Sequence, residues 1–151
     1  MLTRIAGMFA VLALTGCAAA SINTPSGHPD IVLSHVNPEC VKDGLVNGLM
    51  NGGYRIEQSS DYTIVAGKPT TSGMAALLYG SRMNVTPEER VTITMAPQMD
   101  GDGLRLVFDG AYITNPGTGF EQRQPMPANA GVQRQFAQIA PMIESKCAKA
   151  S

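Results

Sequence analysis

The chain has 151 residues, and its 11 Lys and Arg against 12 Asp and Glu give a formal net charge of −1 at pH 7. This length fits one domain with its own hydrophobic core, and the lack of a basic stripe argues against nucleic acid as a partner. A content of 16 Gly, 10 Pro and 5% aromatic residues favours short strands and turns over a helical bundle.

Residues 1–16 have the character of a bacterial export signal. A weakly positive start ends at Arg4, and an apolar run extends from Ile5 to Leu14. The run is shorter than the ~20 apolar residues of a membrane-spanning helix, so we interpret it as a targeting segment outside the folded domain. Its end, Leu14-Thr15-Gly16-Cys17, resembles the lipobox of bacterial lipoproteins.

The lipobox resemblance implies that Cys17 is the first mature residue and carries fatty acyl chains such as palmitate. Two or more chains give stable membrane attachment, whereas a single chain holds weakly. Ala18 follows at a position where aspartate would favour the inner membrane. The resemblance therefore implies an outer-membrane lipoprotein that faces the periplasm, with surface exposure left open. An ordinary secretory peptide, cleaved near residues 18–20, is the alternative.

Residues 17–29 are small, polar and proline-containing, which predicts a flexible tether, and residues 30–151 then form a single domain. The β-prone run from Ile31 to Val36 predicts a first strand. Asn37 can cap a helix and Pro38 suits its first position. Gly52-Gly53 supplies the stop, so a first helix is predicted between these signals.

The predicted first helix has an apolar stripe that contains two glycines. Val41, Leu45 and Leu49 recur every four residues, as an amphipathic helix requires. Gly44 and Gly48 lower the helix propensity and share one face. We expect them to allow close packing against a sheet or another helix.

The middle of the chain alternates strand and turn signals. Residues 54–57 and 61–67 form either a hairpin or one strand, and we favour one bent or bulged strand. Residues 91–95 and 104–113 alternate cleanly and predict an antiparallel hairpin, with a last strand at 120–124. The segment 100–103 (Asp-Gly-Asp-Gly) lacks the third ligand and distant glutamate of a calcium loop. We therefore predict a turn there, and no metal or cofactor.

The segment 73–85 is apolar but is interrupted by Gly80 and Ser81. It is either a short helix that covers the sheet or an exposed apolar loop, and exposed apolar patches mark contacts with partners or membranes. It is our first choice for a functional surface. The candidate partner surface consists of Met74, Leu77, Leu78, Tyr79 and Met83.

A second helix is predicted from Ala128 to Lys149. Pro141 removes one backbone hydrogen bond within it, so we expect a kink or a break there. The order of strand, helix, antiparallel strands and helix predicts an α+β fold. We expect a two-layer sandwich, an antiparallel sheet with both helices on one face.

One of the three cysteines is assigned to the lipid anchor, and the other two belong to the folded domain. Cys17 is assigned to the lipid, which leaves Cys40 and Cys147 as a pair in an oxidising compartment. Cys40 lies in the first turn of the first helix and Cys147 in the last turn of the second. Adjacent antiparallel helices bring these ends together, so we predict a disulfide. Two buried free thiols are the alternative.

A further resemblance covers residues 45–56 and 61–65. The run from Leu45 to Ile56, followed by Asp61-Tyr62-Thr63-Ile64-Val65, resembles the helix-Gly-Tyr-strand segment of small outer-membrane lipoproteins of the strand-helix-strands-helix type. The resemblance implies their fold and an accessory role in an envelope assembly. It assigns no functional residue.

An enzyme is disfavoured because Ser34, Ser72 and Ser81 have no nucleophile-elbow context, and His35 is the one candidate base in the domain. We predict an accessory or scaffold component of an envelope assembly, attached to the membrane by its lipid and bound to an envelope protein. The alternative is a periplasmic lipoprotein that binds a lipid or small ligand, since methionine-rich surfaces can hold acyl chains.

Overall fold

A computed structural model describes residues 22–70, 86–99, 103–128 and 130–149. The signal segment, Cys17, the candidate partner surface and most of the turn at 100–103 lie outside these residues. The described residues form six strands and two helices: β1 (Asp30–Ser34), α1 (Pro38–Asn51), β2 (Arg55–Ser59), β3 (Thr63–Pro69), β4 (Glu88–Pro97), β5 (Gly103–Thr114), β6 (Gln122–Pro125) and α2 (Ala130–Lys146).

The strands form one open antiparallel sheet in the order β1-β5-β4-β3-β2, and β6 pairs with the C-terminal end of β5. The longest pairing joins β4 to β5, from Glu88 opposite Ile113 to Pro97 opposite Leu104. Because successive residues of a strand face opposite sides, this uniform register keeps each face of the sheet continuous. The sheet and the two helices confirm the predicted α+β class and the β4–β5 hairpin.

The prediction of one bent strand over residues 54–67 was wrong, because β2 and β3 form an antiparallel hairpin. Ser60 closes the turn: its backbone N–H donates to the carbonyl of Thr63 at 2.9 Å, and its hydroxyl accepts from the Thr63 N–H at 3.0 Å. A serine hydroxyl that bonds nearby backbone stabilises such turns. A register shift does occur between Ile56 and Gln58, but it lies within β2 and does not join β2 to β3 as one strand.

The predicted ends of α1 are confirmed. The side chain of Asn37 accepts from the N–H groups of Glu39 at 2.9 Å and Cys40 at 3.2 Å, which satisfies two of the free donors of the first turn. Gly53 follows the helix with a φ of +80°, a conformation that favours glycine. The second helix is shorter than predicted and runs through Pro141 without a break; the kink stays a prediction.

The core lies between the sheet and side chains from both helices. Leu33, Ile64 and Leu106 are fully buried in three different strands. Val41 of α1 belongs to the same cluster, and α2 contributes half-buried side chains that pack against it. The partly buried members from α2 are Phe136, Ala140 and Ile143.

The predicted disulfide is confirmed. Cys40 and Cys147 are bonded, with their Cα atoms 5.5 Å apart, inside the usual range for a bridge. Backbone bonds support the same junction: the N–H of Asn37 donates to the carbonyl of Cys147, and the N–H of Lys149 donates to the carbonyl of His35, both at 2.8 Å. The start of α1 and the residues after α2 are therefore joined at several points.

Candidate functional site

An apolar groove runs between α1, α2 and the sheet; we call it the interhelical groove. Its volume of about 500 Å³ lies within the range of about 300–1,000 Å³ found for small-molecule sites. Its lining is apolar except for Lys146 and the hydroxyl of Tyr54. The lining residues are Val41, Gly44, Leu45, Gly48, Leu49, Tyr54, Val91, Ile93, Phe108, Phe136, Ile139, Met142, Ile143, Lys146 and Cys147.

The expectation that Gly44 and Gly48 allow close packing was wrong. A Cβ atom at either position would have no heavy atom of the described residues within 4 Å, apart from the neighbouring backbone of α1. Both glycines are exposed and line the interhelical groove. Their missing side chains therefore leave space on the apolar face of α1 and do not bring another element of the described residues closer.

The two helices cover the sheet incompletely. Val41 is the one fully buried residue of α1, and α2 has none. Leu45 and Leu49 of the predicted stripe are half-buried, and Met142 of α2 is 52% exposed. Apolar side chains of both helices thus face an open space, which is where an apolar ligand would gain from burial.

Two stacked phenyl rings form part of the lining of the interhelical groove. The ring centroids of Phe108 and Phe136 are 3.7 Å apart, and their planes differ by 8°. Phe108 belongs to β5 and is 5% exposed, so it is part of the core. Phe136 belongs to α2 and is half-buried. The stacking connects α2 to the sheet at the N-terminal end of the part of α2 that lines the groove.

One positive charge stands at an end of the groove. Lys146 is the last residue of α2 and the charged member of the lining. Within the described residues, no carboxylate lies within ion-pair distance of its Nζ atom. Tyr54 is held elsewhere in the lining by Lys68, whose Nζ lies 4.3 Å from the centre of the tyrosine ring. The exposed ammonium group of Lys146 is therefore available to an anionic group.

A polar cluster occupies the opposite face of the sheet, because Arg90 is an odd number of residues from Ile93 on the same strand. Arg90 donates to Glu121 at 2.9 Å, and its Nε lies 3.0 Å from Glu57 without the geometry of a hydrogen bond. Burial lowers the pKa of Arg90, but Glu121, Glu57 and Glu88 together raise it. These charges form ion pairs with one another, so we assign the cluster a structural role.

The residues singled out in the sequence fall in three places. Cys147 lines the groove next to Lys146, and Cys40 is bonded to it. The backbone of His35 has a φ of 54° just after β1, and its carbonyl accepts from Lys149. Cys17 and the candidate partner surface lie outside the described residues. No group of three or more metal-binding side chains occurs among the residues described.

The interhelical groove was not predicted from the sequence. The sequence did contain a signal for it, because Gly44 and Gly48 lie four residues apart on the apolar face of α1, but this spacing was interpreted as a sign of close packing.

In comparisons with known proteins, no family model matches the chain, and no curated protein matches it. In the described part of the chain, neither helix is long and apolar enough to cross a membrane.

Proposed function

We propose that the protein is a lipid-anchored envelope protein whose domain binds the apolar chain of an amphiphile in the interhelical groove. The observation that carries this proposal is an open apolar space of about 500 Å³ lined by both helices and the sheet. Apolar lining with a few placed polar groups is typical of small-ligand sites. The domain acts as a binding protein, and none of its residues is given a catalytic role.

Lys146, which has no carboxylate partner among the described residues, favours an amphiphile with an anionic head group. Lys146 stands where a chain lying in the groove would end. An ammonium group beside a carboxylate contributes modestly at an exposed position. The greater part of the affinity then comes from burial of the chain, at about 0.8 kcal/mol per methylene group.

The first experiment fills the groove. Gly48→Leu places an apolar side chain into the open space, whereas Asn47→Leu adds the same side chain at an exposed neighbouring position outside the lining. Titration calorimetry with decanoate should show at least a tenfold loss of affinity for Gly48→Leu and little change for Asn47→Leu. Equal affinities for the two variants would refute binding in the groove.

The second experiment tests the charge. Lys146→Gln should weaken decanoate binding by about two- to fivefold, the range expected for an exposed ion pair, and should leave 1-decanol binding unchanged. A loss for both compounds would show that Lys146 acts through the shape of the groove and not through its charge.

The anchor is a separate part of the proposal and rests on the lipobox resemblance at residues 14–17. Cells supplied with labelled palmitate should incorporate the label into the wild-type chain and not into Cys17→Ser. We place the protein on the periplasmic side of the outer membrane. Membrane fractionation tests this placement, and recovery in the inner-membrane fraction would contradict it.

The second candidate function is the accessory or scaffold role predicted from the sequence. It is favoured by β2, an exposed strand that pairs with β3 alone among the described residues. An unpaired strand edge can accept a strand from a partner. Crosslinking in membranes should then capture one dominant envelope protein through β2 or through residues 74–83, and deleting 74–83 should spare folding.

A further inference from the structure

A second, mainly apolar cavity lies next to the interhelical groove, and its polar lining residues are His28 and Asp109. Its volume is about 160 Å³, and it is bounded by the residues before β1, by the connection from β6 to α2, and by α2 itself. Three residues line both spaces: Val91, Phe108 and Phe136. The stacked phenyl rings therefore form a shared wall, with mainly apolar space on each side.

The two spaces follow one another along α2. Lys146, Met142 and Ile139 line the groove, Phe136 lines both spaces, and Val132 lines the second cavity. With a rise of 1.5 Å per residue, Phe136 is about 15 Å from Lys146 along the helix axis, and Val132 is about 6 Å further. The charged end of the groove and the second cavity are thus at opposite ends of the site.

We infer that the groove and the second cavity are two compartments of one binding site, which holds a single-chain amphiphile with its anionic head at Lys146 and its chain end beyond Phe136. The inference rests on the proposed function and adds the class and length of the ligand. The ring of Phe136, half-buried on a helix that has no fully buried residue, turns aside to let a long chain pass. Short chains end in the groove and leave the phenyl stack in place.

Met126 shows how the second cavity is kept narrow. Its side chain packs over Gly110 of β5, where an added Cβ would lie 3.0 Å from the methionine sulfur. A flexible thioether adapts to irregular apolar surfaces. The cavity can therefore adjust its shape to the end of a chain without a change in the sheet.

The test is a chain-length series with two matched variants. Ala128→Leu places additional apolar volume in the lining of the second cavity, whereas Ala137→Leu adds it at an exposed position of α2 outside both linings. Calorimetry with octanoate, decanoate, dodecanoate, tetradecanoate and hexadecanoate, each below its micelle concentration, gives the affinity for each length.

For the wild type and Ala137→Leu, affinity should rise by about fifteenfold for each pair of added methylene groups through the longest acids. For Ala128→Leu, octanoate and decanoate should bind as before, which also shows that the variant is folded. The rise should then stop, so that hexadecanoate binds no more tightly than dodecanoate.

Two other results would separate a failure of the second compartment from a failure of the proposed function. Identical length profiles for Ala128→Leu and the wild type, or a rise that stops at the same short chain in both, would overturn the second compartment and leave the proposed function intact. Absence of binding by every acid would refute the proposed function and this inference together.

Discussion

Replacing both Gly44 and Gly48 by alanine should stabilise the domain and narrow the interhelical groove at the same time. Both glycines lie in the interior of α1, and the position of an added Cβ is open at each. Alanine is favoured over glycine inside a helix by about 0.5–1 kcal/mol per position. The double variant should therefore gain about 1–2 kcal/mol in free energy of unfolding.

Urea and thermal unfolding followed by circular dichroism measure this gain. For a domain of this size, about 4 °C of melting temperature corresponds to 1 kcal/mol, so we expect a rise of about 4–8 °C. Gly53→Ala is the matched control. Its Cβ would also enter open space, but the φ of +80° disfavours alanine, so it should lose about 1 kcal/mol.

The same double variant should bind decanoate more weakly, because two methyl groups enter the groove. A double variant that is less stable than the wild type would refute the reasoning, since it would show that the glycines touch other residues. A stabilised variant with undiminished decanoate affinity would show that the ligand binds elsewhere.

Two further predictions concern stability. The disulfide joins residues separated by 107 positions, so chain entropy predicts a loss of about 4–5 kcal/mol when Cys40 and Cys147 are reduced; an unchanged urea midpoint with reductant would contradict this. The N–H of Gly117 and then Arg90 hold the pKa of Glu121 below its ordinary value of 4.5. The contribution of the Glu121 carboxylate to the free energy of unfolding is therefore present above pH 4.5. It is lost as the pH falls through the lower pKa that Glu121 has in the folded state. Glu121→Gln should lower the free energy of unfolding by less than about 1 kcal/mol at neutral pH and leave it unchanged in strong acid. If Glu121→Gln and the wild type were equally stable at neutral pH, the interaction would not stabilise the fold.

The ends of α1 were predictable because the signals that fix them are local. Asn37 caps the helix through its own side chain, Pro38 occupies the first position, and Gly53 takes the positive φ that follows the stop. The disulfide needed more than local signals. The prediction followed from the assignment of Cys17 to the lipid, which left one pair of cysteines. It also needed two adjacent antiparallel helices, which bring Cys40 and Cys147 to neighbouring helix ends.

The hairpin of β2 and β3 and the interhelical groove were not predictable in the same way. The hairpin depends on the Ser60 hydroxyl and backbone bonding back to Thr63, and a bulged strand fits the same residue pattern. An apolar stripe such as Val41, Leu45 and Leu49 shows which face of a helix turns inward. It does not show whether a neighbouring element covers that face completely.

Among the described residues, the groove is open because the two helices are joined at one end and few side chains fill the space between them. The disulfide and the backbone bonds of Asn37 and Lys149 hold the start of α1 to the residues after α2. Further along α1, Gly44 and Gly48 supply no side chain. Apolar surface left in contact with water costs about 25 cal/mol per Å², so an occupant that covers it must stabilise the folded state.

This stabilisation distinguishes a binding groove from a packing defect. Decanoate at one hundred times its dissociation constant should add about 2.7 kcal/mol to the free energy of unfolding, and the melting temperature should rise with ligand concentration. In Gly48→Leu the leucine side chain fills part of the groove, so the melting temperature of this variant should not respond to decanoate. A response of equal size in Gly48→Leu and the wild type would mean that decanoate stabilises the protein from another surface.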